Sequence, residues 1–217
     1  MNAFKANDDG NTNDDRNLHR KLHDSAGYND SEEATAKTIA DIRQSKFYDH
    51  NILIYPDLDT FRKIYSKSAK QALNSNEIVL LITTYDSFAT VIDSLTQSGI
   101  SVNNETKEGN LIILDSVKAY QIDTYGAMKF AKSLVNRITK DGKAGIFNIS
   151  DLGSFFVAER IPIMLEYENS LPKKMDFLFK AICAYHKDDF ATLSEQQQEK
   201  IFSSHNHVIV HNKVRDR

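Results

Sequence analysis

The chain has 217 residues, of which 41% are hydrophobic and 26% are charged, so one domain with a buried core is the expected organisation. The net charge of −3 and the isoelectric point of about 6.2 exclude nucleic-acid binding through bulk positive charge. A single cysteine, Cys183, cannot form an internal disulfide bond, and no apolar run approaches the ~20 residues of a membrane span. We therefore expect a soluble, cytoplasmic protein that contacts neither membrane nor nucleic acid.

Residues 1–34 differ in composition from the rest of the chain. They carry eight acidic and four basic side chains, a net charge of −4, and their few apolar residues show no period. Such a segment cannot offset the entropy cost of its own ordering, so we predict a disordered polar tail over 1–34, with a second short tail over 213–217. His19 and His23 lie four residues apart, as helical metal ligands do, but a solvated tail is the simpler interpretation.

A helical lead-in is predicted over 35–49, because the pattern over 32–46 has acidic residues at its start and basic ones at its end. From residue 50 to 212, short apolar runs alternate with segments of helical period. The runs predict strands at 51–55, 77–84, 111–114, 144–149, 181–185 and 207–210.

The segments between these strands predict helices. One is expected over 123–140, and one or two over 154–179, interrupted by Pro162 and Pro172. Strands separated by helices favour crossover connections and parallel pairing. The fold class is therefore predicted as α/β, a three-layer domain with a mostly parallel sheet flanked by helices.

Helix starts carry their own signals in this chain. Asp57 and Asp86 each follow a predicted strand and are expected to cap the next helix. Ser194 and Gln197 have the spacing of a capping box at the start of the last helix.

Polar and aromatic side chains follow the predicted strands at their carboxyl ends. Ligands of open α/β sheets bind beyond those ends, where loops and helix N-termini converge. Each residue alone is explained by helix capping or packing, whereas the whole row predicts a pocket for a small polar or weakly apolar molecule. The predicted ligand-binding residues are Tyr55, Asp57, Thr84, Tyr85, Asp115, Asp151, Tyr185 and His186.

A second set of residues raises the question of a metal site. Thiolate and imidazole groups suit zinc, but Cys183 lies within an apolar strand, where a lone cysteine usually acts as a small hydrophobic residue. His186 has the opposite strand parity, and the later histidines surround the last strand. We predict no metal site and no cofactor. The candidates considered are Cys183, His186, Asp189, His205, His207 and His211.

Two further residues are ambiguous. His50 precedes the first strand and is expected to form structural hydrogen bonds at the lower edge of the sheet. Glu168 is expected to be partly buried and paired. A partner at the strand ends would make Glu168 functional, and a partner such as Arg160 or Lys173 would make it structural. The structural interpretation is favoured.

Residues 78–115 resemble the KaiC/RecA group of P-loop ATPases, with a strand ending in Thr-Thr, a helix, Ser-Gly-Ile and a strand ending in Asp. Those enzymes need a GxxxxGK[ST] loop after the first strand, because its amides and lysine hold the phosphates. Here that position is occupied by PDLDT (56–60), which has no glycine and two carboxylates. ATP hydrolysis is therefore not expected.

The chain from about residue 50 to 211 resembles the MEDS domain, a sensory domain named for methanogens, methylotrophs and a dichloromethane-responsive regulator. The likeness rests on HNILIYPD, SGI…EGNLIILDSVKAY, LEYENSL, CAYHKDDF and SSHNHVIV, in this order. ISDLGSFF and the Cys-x-Tyr-His run are similar to versions from ammonia-oxidising archaea. The resemblance implies a RecA/KaiC-like fold without the Walker A loop, in a module often fused to a DNA-binding or kinase domain.

The resemblance and the predicted pocket together indicate a non-enzymatic sensory domain. It would bind an unknown small-molecule ligand at the strand ends, close the 154–179 region over it, and signal through a protein partner. One alternative is a residual nucleotide- or metal-dependent enzyme that uses Asp151 and His186. Another is a structural interaction subunit that forms a homo-oligomer, as the ATPase relatives do.

Overall fold

The structure is a computed structural model that describes residues 32–211. The strands are β1 (His50–Tyr55), β2 (Ile78–Thr83), β3 (Leu111–Asp115), β4 (Ile146–Asp151), β5 (Phe179–His186) and β6 (His207–Val210). They form one sheet in the order β3-β2-β4-β5-β1-β6, and every pair of neighbours is parallel. The six predicted strands and their parallel pairing are confirmed.

Within the described residues, eleven helices surround this sheet. In chain order they are α1 (Glu32–Arg43), α2 (Leu58–Asn74), α3 (Phe88–Gln97), α4 (Val102–Lys107), α5 (Ser116–Tyr120), α6 (Gly126–Ser133), α7 (Val135–Lys140), α8 (Gly153–Val157), α9 (Ile161–Ser170), α10 (Lys187–Ala191) and α11 (Glu195–Ser203). No helix between residues 32 and 211 combines the length and apolar character needed to cross a bilayer.

Helices cover both faces of the sheet. Leu53 and Leu81 point to one face, where α1 to α4 supply the apolar side chains that bury them. Ile52 and Leu80 point to the opposite face, which α5 to α11 cover. We call these the α2 face and the α9 face. The predicted three-layer architecture is confirmed, and it explains why β1, β2 and β4 are buried along their whole length.

The lead-in helix α1 packs at the edge of the domain. Ile39 and Ile42 are buried, and α1 contacts α2 and β6. The helix begins at Glu32, inside the segment predicted as a tail. The tail predictions for 1–31 and for 213–217 fall outside the described residues.

The prediction of one continuous helix over 123–140 is wrong. The chain forms α6 and α7 instead, separated at Leu134, whose N–H bonds to the carbonyl of Ala131 three residues back and tightens the turn. Helices α4, α5 and α10, of five or six residues each, were not predicted, since so short a segment shows no helical period.

The two prolines mark helix ends rather than interruptions. Pro162 occupies the first turn of α9, where its missing N–H costs nothing. Pro172 lies just past the end of that helix, so the helical segment stops at Ser170, short of the predicted 179.

Two of the three predicted helix caps are confirmed. Asp57 accepts from the Thr60 N–H, and Ser194 and Gln197 form the capping box. Asp86 does not cap α3. Ser87 does, and Asp86 instead binds the Arg62 guanidinium at 2.5 Å.

Candidate functional site

Two strand ends on the α2 face meet at a buried carboxyl group. The Tyr55 hydroxyl, at the end of β1, donates to Asp151 Oδ2 at 3.2 Å, and both residues are almost fully buried. Asp151 Oδ1 accepts from the Gly153 N–H at 2.8 Å. Burial raises the pKa of Asp151 to about 7, although the bonds from Gly153 and Tyr55 lower it in part. Near neutral pH this carboxyl is therefore poised between its neutral and its charged form.

A tyrosine packs against the residue that donates to this carboxyl. The ring of Tyr85 lies directly against Gly153, where a Cβ added to the glycine would come within 2.5 Å of the ring. The Tyr85 hydroxyl donates to Asp189 Oδ2 at 2.5 Å and so joins the end of β2 to α10. We call this contact the Tyr85–Asp189 bridge. Tyr85 keeps 37% of its surface exposed, whereas Asp151 keeps 1%.

The sheet has a topological switch point at this position. From β2 the chain runs outward to β3 through helices on the α2 face, while from β4 it runs the opposite way to β5 through helices on the α9 face. Neighbouring strands whose connections diverge leave a crevice at their carboxyl ends. Thr84 spans it, with its hydroxyl 2.8 Å from Ser116 Oγ and 3.3 Å from the Asp151 carbonyl oxygen.

The sequence therefore identified several residues that the fold does bring together. His186 belongs to the same group, because its ring lies edge-on to Tyr55 with centroids 5.4 Å apart. We call this group the rim, and it consists of Tyr55, Thr84, Tyr85, Asp151 and His186.

Three predicted residues have other positions. Asp57 and Asp115 cap α2 and α5, accepting from the backbone N–H groups of Thr60 and Lys118. Tyr185 points to the α9 face, away from the rim, because consecutive strand residues alternate in direction. Ligand binding by any of the eight residues remains a prediction.

A second polar group lies beneath the α9 face. His50 starts β1, Cys183 lies in β5, Glu168 comes from α9 and His205 precedes β6. One ligand-type atom from each lies within 4.8 Å of the other three, and all four residues are buried. We call these four residues the buried cluster.

The contacts in the buried cluster are short. His50 Nε2 lies 3.2 Å from Cys183 Sγ and 3.7 Å from Glu168 Oε2. His205 Nε2 lies 3.2 Å from the same carboxylate oxygen. The two imidazole rings are 3.8 Å apart at their centroids. These groups could hold a metal ion or share protons among themselves.

Burial and mutual charge set the ionisation of the buried cluster. Burial alone would raise the pKa of Glu168, but His205 and His50 hold it below its usual value. Burial and then His205 lower the pKa of His50 to about 4. Burial and the Glu168 charge raise the pKa of the Cys183 thiol well above its usual value. The cluster therefore contains an anionic carboxylate beside a neutral imidazole and a protonated thiol.

A small cavity adjoins the buried cluster. Its volume is about 10 Å³, enough for about one water molecule. His50 and Cys183 line it, together with the polar side chains of Asn148 and Ser150 and the ring of Tyr167.

Sequence reasoning did not bring His50 and Glu168 together with Cys183. The metal candidates considered from sequence share only Cys183 and His205 with the buried cluster. His207 is exposed, and the His211 ring contacts the Thr35 hydroxyl at 3.3 Å. The available signal was a polar residue within an apolar segment, because a buried polar group needs a partner. His50 begins an apolar strand, and Glu168 follows apolar neighbours in its helix. Glu168 pairs with neither Arg160 nor Lys173 but with the histidines of the cluster.

The six parallel strands between two helical layers define an α/β domain of the three-layer class. Within that class the chain belongs to the MEDS family, described as MEthanogen/methylotroph, DcmR Sensory domain, whose family model matches residues 49–206. The predicted family is thereby confirmed, and the matched range contains both the rim and the buried cluster. No curated protein matches the chain.

Proposed function

We propose that this chain is a non-catalytic sensory module that binds a small ligand at the rim and passes the result to a protein partner. Membership of a sensory-domain family supports the regulatory role. The observation that carries the choice of site is Asp151, a buried carboxyl at the topological crevice with a pKa of about 7. Such a group can accept a hydrogen bond from a ligand hydroxyl or amine, or donate one when protonated.

We infer that ligand entry moves Tyr85, because its ring packs on Gly153, the donor to Asp151, and its hydroxyl bonds to Asp189. A ligand that binds better to the open arrangement than to the closed one shifts the population toward the open one. The immediate structural consequence is release of α10, which the Tyr85–Asp189 bridge ties to the end of β2. We propose that a partner, or a second copy of the chain, recognises this change on the outside of α10 and of the 154–179 region.

We further propose that the sheet derives from a RecA/KaiC-like fold and that this chain does not bind phosphate. Asp57 supports the absence of phosphate binding, since its carboxylate accepts the Thr60 N–H at the N-terminus of α2. In P-loop enzymes a phosphate oxygen occupies the equivalent place at a helix N-terminus. A carboxylate already fixed there repels phosphate, so hydrolysis of ATP is not part of the proposed function. From the same sequence resemblance we propose that the chain comes from an archaeon.

The test is a thermal-shift screen of the full chain against small metabolites that carry hydroxyl or amine donors. A ligand at one hundred times its Kd stabilises the native state by about 2.7 kcal/mol. The matched variants are Asp151→Asn in the rim and Asp115→Asn, an exposed helix cap outside it. We expect a hit whose stabilisation is lost in D151N and kept in D115N. Equal stabilisation of both variants, or no hit at all, contradicts the proposal.

A further inference from the structure

We propose that the buried cluster of His50, Glu168, Cys183 and His205 is a binding site for one divalent metal ion of the zinc class. This inference is independent of ligand binding at the rim. Sulfur, imidazole nitrogen and carboxylate oxygen are the ligand atoms that Zn²⁺ takes in proteins. The four residues come from β1, α9, β5 and the turn before β6, and the fold turns all four side chains toward one point.

The distances fit tetrahedral coordination. Bond lengths of about 2.0 to 2.3 Å around a tetrahedral centre place the ligand atoms about 3.3 to 3.8 Å from one another. The three measured separations in the cluster are 3.2, 3.7 and 3.2 Å, and none of the six exceeds 4.8 Å. The three closest contacts already lie near this range, and the remaining ligand atoms move by up to about 1 Å to reach it.

The hydrogen-bonding state of His205 calls for a proton or a metal ion between His205 and Glu168. His205 Nδ1 lies 2.6 Å from the carbonyl oxygen of Ile201, and since a carbonyl only accepts, Nδ1 must carry the hydrogen. In the neutral ring Nε2 then presents a lone pair to Glu168 Oε2 at 3.2 Å. Two acceptors facing each other at that distance repel unless a proton or a metal ion lies between them.

The unpaired atoms point to a metal ion rather than a proton. Among the described residues, both Glu168 oxygens, His205 Nε2 and the Tyr185 hydroxyl lack a well-formed hydrogen bond, although His205, Tyr185 and Cys183 all lie close enough to Glu168 to shift its pKa or their own. All are fully buried, where a polar group without a partner is destabilising and a charged one more so. One proton satisfies one of these contacts, whereas one ion satisfies the carboxylate, both imidazoles and the sulfur together.

Charge balance agrees with a divalent ion. On binding, the Cys183 thiol gives its proton to solvent and becomes a thiolate, as a coordinating thiol does. The thiolate and the Glu168 carboxylate together carry two negative charges, which a divalent cation cancels while the imidazoles remain neutral. A neutral assembly of this kind can be buried without the desolvation cost of an isolated charge.

The experiment uses the full chain, stripped of metal by a chelator under reducing conditions and then titrated with Zn²⁺ or Co²⁺. We expect one equivalent of metal per chain after gel filtration and release of protons on binding. Cys183 is the only cysteine of the chain, so thiolate-to-cobalt charge-transfer absorption assigns the ligand in the unmodified protein. This readout needs no variant to fold.

Variants then assign the remaining ligands. His205→Gln should weaken Zn²⁺ binding by more than the roughly 10- to 100-fold that loss of a supporting residue costs. His207→Gln, an exposed neighbour, and the double change of His19 and His23 to Gln are the controls and should keep full affinity. Circular dichroism and the unfolding midpoint establish that each variant is folded.

Three results would overturn the proposal. They are no stoichiometric metal uptake, bound cobalt without thiolate absorption, and zinc affinity in folded H205Q equal to that of the unchanged protein. The Asp151→Asn variant keeps its metal if the site is the one proposed here, so failure of the rim proposal leaves this result unaffected.

Discussion

The carboxyl of Asp151 makes folding stability depend on pH. Its pKa is about 7 in the folded protein and near 3.8 in the unfolded chain, so between these values the folded state binds the extra proton. Stability is then complete below about pH 4, falls by up to about 1.4 kcal/mol per pH unit as pH rises to 7, and is flat above it. The total loss is of the order of 4 kcal/mol.

The measurement is urea unfolding of the unchanged protein and of Asp151→Asn between pH 5 and 8.5. The asparagine keeps the acceptor for Gly153 but cannot titrate, so the difference between the two proteins isolates Asp151. We expect the free energy of unfolding of the unchanged protein to fall relative to that of Asp151→Asn from pH 5 to 7, and the difference to stay constant above pH 7. A difference that does not vary with pH contradicts a raised pKa.

The Tyr55 hydroxyl is a second test at the same scale. Tyr55→Phe keeps the ring stacked on Phe61, 4.2 Å away, and removes the donor to Asp151. An unpaired buried acceptor costs about 1–3 kcal/mol, and the loss should be larger above pH 7, where Asp151 is charged. Unfolding at pH 6 and at pH 8 measures it, and an equal loss at both would show that the hydroxyl does not interact with the charged form.

Strand ends were predictable for a reason that acts residue by residue. Tyr55 and Asp151 each directly precede a change of period, and parallel strands bring such residues to one edge. The facing direction of Tyr185 was not predictable from its strand, because β5 is apolar on both faces and lacks the alternation that distinguishes them. The convergence of Glu168 with Cys183 depends on how α9 packs, which no local pattern encodes.

At the scale of elements, the Tyr85–Asp189 bridge holds α10 against the end of β2. Tyr85→Phe should leave the fold intact and raise backbone hydrogen exchange in residues 84–86 and 187–191, because local opening there loses one charge-assisted hydrogen bond. The matched control is Tyr125→Phe, since Tyr125 is exposed to the same 37%. Unchanged exchange in Y85F would mean that α10 is held by other contacts, such as the packing of Phe190.

Element prediction succeeded where a segment is long and failed where it is short. α2 carries a repeating apolar stripe over seventeen residues, and its start is fixed by Asp57. α5 has five residues, and the only local sign of it is the cap from Asp115, a residue that is equally consistent with a strand end. Helix α10 is likewise started by a strand-end residue, His186, whose ring nitrogen accepts from the Asp188 N–H.

At the scale of the molecule, the continuous sheet predicts cooperative unfolding. β1 lies between β5 and β6 and contributes to the cores on both faces, so it cannot separate without exposing both. Urea transitions followed by tyrosine fluorescence and by far-ultraviolet circular dichroism should coincide at one midpoint. Two separated midpoints would show that the two apolar layers unfold independently.

The same strand β1 starts at His50 and ends at Tyr55, and its six residues of extended backbone span about 16 Å. Hydrogen bonding to neighbouring strands on both sides restricts bending of this strand. The buried cluster and the rim therefore lie at the two ends of a single stretch of main chain.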